Sequence, residues 1–157
     1  MRKDRIAGAI FVLTALIVLG ISVLSRASLP TTRMIGKLIG CFIFLLGMVA
    51  FLWVLVHLRD AFRGTVAPVT DQLVTTGPYR WVRHPLYLSM IITLVGIAIA
   101  LGSVWGVVGV FVLFIPAVVN RAKLEERTLA QKFGQTWLSY ATGTYFLIPW
   151  IKKVAKR

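Results

Sequence analysis

The chain has 157 residues, enough for one domain, and 58% of them are apolar, against about half in an ordinary soluble domain. Its net charge of +13 could suggest nucleic acid, but only 15% of the residues are charged and the cations gather at the ends of apolar runs, where lipid headgroups would meet them. That placement argues for topology and anionic-lipid contact and against a nucleic-acid partner. A single cysteine, Cys41, excludes an internal disulfide and has no metal-site spacing, so packing is its expected role.

Ile6 to Leu24 runs for 19 residues without a charge, after Arg2, Lys3 and Arg5. At about 1.5 Å per residue the run crosses a hydrocarbon core. Ser25-Arg26-Ala27 weakly imitates a signal cleavage site, but the run is long for a signal peptide, so an uncleaved first span is expected. A connector, Ser25 to Lys37, holds Pro30, and Leu38 to Leu58 is the second span, with His57 near its far end. Gly36 and Gly40 form a small-xxx-small pair, with Gly47 beyond, which lets helices approach closely.

Arg59 to Pro85 is the longest polar segment and carries prolines at 68, 78 and 85. Residues before proline avoid the helical region, so the segment should be largely irregular. Leu86 to Val119 then runs for 34 residues without a charge, too long for one span and enough for two. Gly102-Ser103 is the natural turn, giving a tight hairpin of residues 86–101 and 104–119. Pro116 should kink the second arm by crowding the carbonyl of Val112. Asn120 to Phe133 should continue as a charged helix into water, with Gly134 as its stop. Beyond it, Trp137, Tyr140, Tyr145 and Trp150, followed by Lys152, Lys153, Lys156 and Arg157, suit a membrane interface.

The expected fold is an all-α integral membrane protein, one domain over residues 1–157, with four transmembrane helices at about 6–24, 38–58, 86–101 and 104–119 and a cytoplasmic C-terminal helix. Four spans put both termini on one side, together with the 59–85 loop. That side carries 15 of the 18 cations, so it is expected to be cytoplasmic, in a plasma or inner membrane.

The hairpin returns the chain to the same edge, so two segments should meet there. The loop offers Tyr79, Arg80, Trp81, Arg83, His84 and Tyr87; the helix offers Arg121, Glu125 and Glu126. Each has a bland reading: aromatic anchors, topology arginines, a surface ion pair at Arg121 and Glu125, a proline that starts a helix. Together they are harder to dismiss. The two glutamates are the only ones in the chain, and they are adjacent. A mixed-charge pocket at the mouth of an apolar bundle suits a zwitterionic, partly apolar ligand.

"GPYRWVRHPLY", Gly77 to Tyr87, resembles the G-P-Y-x-x-x-R-H-P-x-Y signature of the isoprenylcysteine carboxyl methyltransferase superfamily, which includes phospholipid methyltransferase-like members. "RAKLEERTLAQKFGQTWLSY", Arg121 to Tyr140, resembles its Arg, paired-Glu, Phe-Gly and Tyr pattern, and "IPW", Ile148 to Trp150, its terminal motif. The first two spans carry no motif. The family's Pro-Arg before the terminal block is replaced by Thr144-Tyr145, and the chain has fewer spans than eukaryotic members.

The resemblance implies a membrane methyltransferase that uses S-adenosylmethionine, releases S-adenosylhomocysteine, and binds that cofactor within residues 75–150. It implies cofactor contacts from Gly77, Tyr79, Arg83, His84, Tyr87 and Glu126, and a reaction centre lined by Arg121 and Glu125. Arg83, His84 and Tyr87 would donate to the cofactor carboxylate, Glu126 would take its ammonium, and Tyr79 would face its sulfonium. The acceptor would be a carboxylate or another nucleophile of a lipophilic or lipid-modified substrate, entering sideways from the bilayer. An ionised carboxylate would need no base, whereas an amine would first lose a proton, to Glu125. Two other readings stay open. Membrane sterol reductases have a similar hairpin but bind NADPH; they tend to carry Asn where Leu86 stands and Gly-Glu where Leu88-Ser89 stand. A non-catalytic membrane adaptor could also keep the fold.

Overall fold

The positions that break helices shape this molecule. The computed structural model describes residues 2–26, 33–58 and 73–148. Helix α1 is Arg2–Leu24 and α2 is Arg33–Leu58, which starts earlier than the connector expectation allowed. Residues 59–72 lie outside the described part, so the expected irregularity there is visible only from 73 onward. A 3-10 turn, Gly77–Arg80, leads into α3, Pro85–Ala100.

Gly102 (φ 66°) makes the reversal that the Gly-Ser pair predicts, because that backbone region is cheap only for glycine. The fully buried Ser103 then caps α4, Val104–Gly109, its Oγ accepting from the Gly106 amide at 2.8 Å. Ser25 Oγ lies 2.6 Å from Ser103 Oγ, which ties the end of α1 to the hairpin tip.

A π turn, Val110–Phe114, joins α4 to α5, Ile115–Phe133, and the Ile115 amide donates to the Val110 carbonyl. This is the helix's accommodation of Pro116, whose ring would otherwise crowd Val112; the disturbance precedes the proline, inside the arm. Gly134 (φ 52°) ends α5 as expected. A sixth helix, α6, Gln135–Gly143, follows at once, where the sequence suggested only an interfacial tail.

The protein is all-α and membrane-integral. Among the described residues three helices are long and apolar enough to cross a bilayer, within Arg5–Leu24, Met34–Leu58 and Val104–Phe133, and Pro85–Ala100 is a shorter apolar fourth. α2 lies along α3, whereas α1 packs on α3 and on the second arm. The α2–α3 seam is set by glycine: a Cβ at Gly40 would strike the backbone of Ala100, at Gly47 that of Thr93, and at Gly96 that of Phe44. Cys41, expected to pack, is exposed; one residue from Gly40, it is turned away from that seam. The core gathers Phe11 and Val18 of α1, Tyr87, Ile91 and Leu94 of α3, Val110 and Phe114 of the π turn, Val118 and Ala122 of α5, and Leu147.

Candidate active site

The site lies where the loop enters α3 and where α5 leaves the apolar bundle. Thr76 is extended, Pro78 stands second in the 3-10 turn, and His84 stands immediately before Pro85 at the head of α3. Proline suits both positions because a first turn needs no amide donor there. Gly77 (φ 59°) has the His57 ring against it, so a side chain at 77 would collide with the end of α2. The Arg83 amide donates to the Tyr145 carbonyl at 2.8 Å, and the Tyr145 amide to the Trp81 carbonyl at 3.1 Å. These bonds hold the segment after α6 alongside the loop.

Six of the sequence-predicted residues form one connected group. Arg83 Nε donates to Glu126 Oε1 at 2.6 Å, and His84 Nε2 lies 3.3 Å from the same oxygen. His84 Nδ1 is 3.9 Å from Glu125 Oε2. Tyr87 Oη donates to that Glu125 oxygen at 3.1 Å and accepts from Arg121 Nε at 3.0 Å. The basic members are deeply buried and the two carboxylates are partly exposed at the mouth. Arg121 is buried at 9% exposure, which sets aside the surface-ion-pair reading.

Tyr79 and Gly77 stand beside this group rather than in it. The Tyr79 carbonyl accepts from Tyr140 Oη at 2.7 Å. Burial first, and then the field of Glu125, push the Tyr79 phenol well above its ordinary value. Burial does the same at Tyr140, against a lowering pull from Arg83. Both therefore remain neutral donors at any ordinary pH. At Glu126, burial pushes the pKa up, but hydrogen bonds from His84 and Arg83 outweigh it and hold the carboxyl below its usual 4.5.

Arg83 has a second set of partners. Its Nη1 donates to the carbonyls of Ala141 and Thr144, at 2.6 and 2.7 Å, at the C-terminal end of α6. A cation there satisfies carbonyls that the helix leaves open. The guanidinium that sequence reasoning aimed at a cofactor carboxylate thus has Nε and Nη1 tied within the protein.

Several neighbours were not foreseen. Phe146 stands 5.1 Å from the His84 ring and 5.7 Å from the Arg83 guanidinium, measured to its centroid. Phe11 and Gly8 of α1 lie against Arg121. No sequence signal marks these, since each is an ordinary apolar or small residue in an apolar run. Trp137, expected as an interface anchor, is instead buried beside Tyr140, while Trp81 is exposed as an anchor should be. Of the terminal motif, Pro149 and Trp150 lie outside the described residues.

The sequence matches the phospholipid methyltransferase family over residues 35–136, well over half of the chain, and the protein belongs to that family. No individual curated protein and no solved structure matches significantly. The family match makes the protein a membrane methyltransferase and places it within the superfamily that the loop and glutamate motifs resembled.

Proposed function

We propose that this membrane methyltransferase uses S-adenosylmethionine to methylate the amine headgroup of a phospholipid, at the edge where His84, Tyr87, Arg121, Glu125 and Glu126 meet. One observation carries the reading. Tyr87 Oη bridges Arg121 and Glu125, at 3.0 and 3.1 Å, so a cation and a carboxylate stand side by side on one face of α5. Such a pair complements a headgroup that carries both a phosphate and an ammonium. The family's description, phospholipid methyltransferase, agrees with that choice.

The donor chemistry of the group fits the cofactor. The partly exposed edges of Glu125 and Glu126 offer acceptors for an ammonium, whereas the Tyr87 hydroxyl is donated to Glu125 and His84 Nε2 lies against Glu126, so a cofactor carboxylate would have to take over those donors on binding. S-adenosylmethionine supplies a methyl carbon on a sulfonium, and attack by the lipid nitrogen breaks the C–S bond, the electron pair leaving on sulfur as a neutral thioether. Glu126, held ionised by Arg83 and His84, takes the donor's ammonium. Tyr79 and Gly77 shape the loop beside it. Arg121 holds the lipid phosphate. Glu125 removes the ammonium proton that would otherwise block the nitrogen lone pair, and passes it to water at the mouth. Burial of His84, Arg83 and Arg121 keeps the centre dry and the geometry fixed.

The charge distribution supports a cytoplasmic site with both termini on that side, in a plasma or inner membrane whose anionic headgroups meet the flanking cations. The test is transfer of labelled methyl from S-adenosylmethionine to vesicles of phosphatidylethanolamine in phosphatidylglycerol. Label in the extracted lipid, absent with pure phosphatidylglycerol and reduced at least about tenfold by Glu125→Gln, is the expected result. No lipid label, or NADPH-dependent reduction instead, overturns the reading.

A further inference from the structure

The family match begins at residue 35, so α1 lies wholly outside it. Yet α1 touches the site. Phe11 is buried, with its ring centroid 5.5 Å from the Arg121 guanidinium carbon, 5.6 Å from the Tyr87 ring centroid and 5.3 Å from that of Phe114. One turn earlier, Gly8 offers bare backbone to the same guanidinium. A Cβ there would stand 2.8 Å from Arg121 Nη1 and 3.9 Å from its central carbon. Ala7, beside it, is buried as well.

We propose that Gly8 and Phe11 of α1 are positioning residues for methyl transfer: they set where the Arg121 guanidinium stands, and so where the acceptor is held. The inference rests on the reading of Arg121 as the acceptor-binding cation. The geometry leaves the guanidinium few places to go. Tyr87 fixes Nε from α3, the Phe11 ring lies against its carbon, and Gly8 permits Nη1 to stand where any side chain would displace it. An arginine side chain is long and otherwise samples many rotamers, so an aromatic wall and a missing Cβ restrict it to one arrangement. The displacement expected from a methyl group at position 8 falls on the tip of Arg121 and not on backbone, so the helix itself has no reason to move.

The experiment uses the full chain in detergent with phosphatidylethanolamine vesicles and labelled S-adenosylmethionine. Gly8→Ala and Phe11→Leu are expected to elute as wild type and to bind S-adenosylhomocysteine within about threefold of it, while kcat falls about tenfold to a hundredfold. Phe11→Tyr keeps the ring and should stay within about threefold of wild type. In an Arg121→Lys background, whose ammonium does not reach the same place, Gly8→Ala should cost nothing further. Should Gly8→Ala fold poorly, Phe11→Leu carries the test, being close in volume. Wild-type kcat in Phe11→Leu beside an impaired Arg121→Lys overturns the inference and leaves the role of Arg121 standing. An equal loss from Gly8→Ala in both backgrounds overturns it too, since the effect would not pass through Arg121. Wild-type turnover by Arg121→Lys sinks the underlying reading instead.

Discussion

Two seams of this protein use the same residue for opposite ends. Along α2 and α3, Gly40, Gly47 and Gly96 face backbone: a methyl group at any of them would meet atoms of another main chain. Along α1 and α5, Gly8 faces only the tip of an arginine. The first kind of contact cannot relax without parting two helices. The second relaxes by moving one functional group. A glycine in a membrane helix is therefore a packing residue or a site residue according to what stands opposite, and the small-xxx-small spacing alone does not distinguish them.

Substitution and acid separate the contacts that hold the fold from those that serve the site. Gly96→Ala should cost about 3 kcal/mol of stability and most of the folded yield, because the clash is with the Phe44 backbone; an unshifted melting temperature in detergent would contradict the seam. Arg83→Leu leaves Glu126 without its shortest partner and frees the end of α6, costing about 2 kcal/mol. Limited proteolysis should then cut near residues 134–144, and a wild-type digestion pattern would refute the staple. Ser103→Ala removes the α4 cap at the hairpin tip and should cost about 1 kcal/mol without altering methyl transfer, as read by thermal unfolding and labelled-methyl assay together. The mildest test is acid. Glu126 titrates below 4.5 in the folded protein, so its stabilising contribution is complete above that value and is lost as pH falls through the lower folded pKa. Glu126→Gln should thus flatten the loss of stability below about pH 4.5 and leave the profile from 5 to 8 unchanged. Identical acid profiles for the two proteins would deny the pairing.

Much of this arrangement was legible in the sequence because it is written in proline, glycine and charge. Pro85 marks the head of α3, Gly102-Ser103 the reversal, Gly134 the end of α5. The same hairpin, read from one charge-free run, brings the loop residues to Arg121 and the glutamates. What escaped is held by tertiary contact. α6 is short, and its end is secured by Arg83 from nearly sixty residues earlier in the chain. Trp137 has an anchor's composition but finds an interior place beside Tyr140. Gly8 and Phe11 look like any residues of an apolar span; only the packing of α1 on α5 gives them a neighbour with chemistry.

On the proposed reading, the His84–Tyr87 turn and the Arg121–Glu126 turn together form a methyl-donor site. Calorimetric titration of S-adenosylhomocysteine into the detergent-solubilised protein, wild type against Glu126→Gln, addresses it most directly. Saturable binding to the wild type is expected, with affinity at least about tenfold weaker in the variant and the fold intact. Equal affinity in the two proteins, or binding of NADPH with none of S-adenosylhomocysteine, would contradict it.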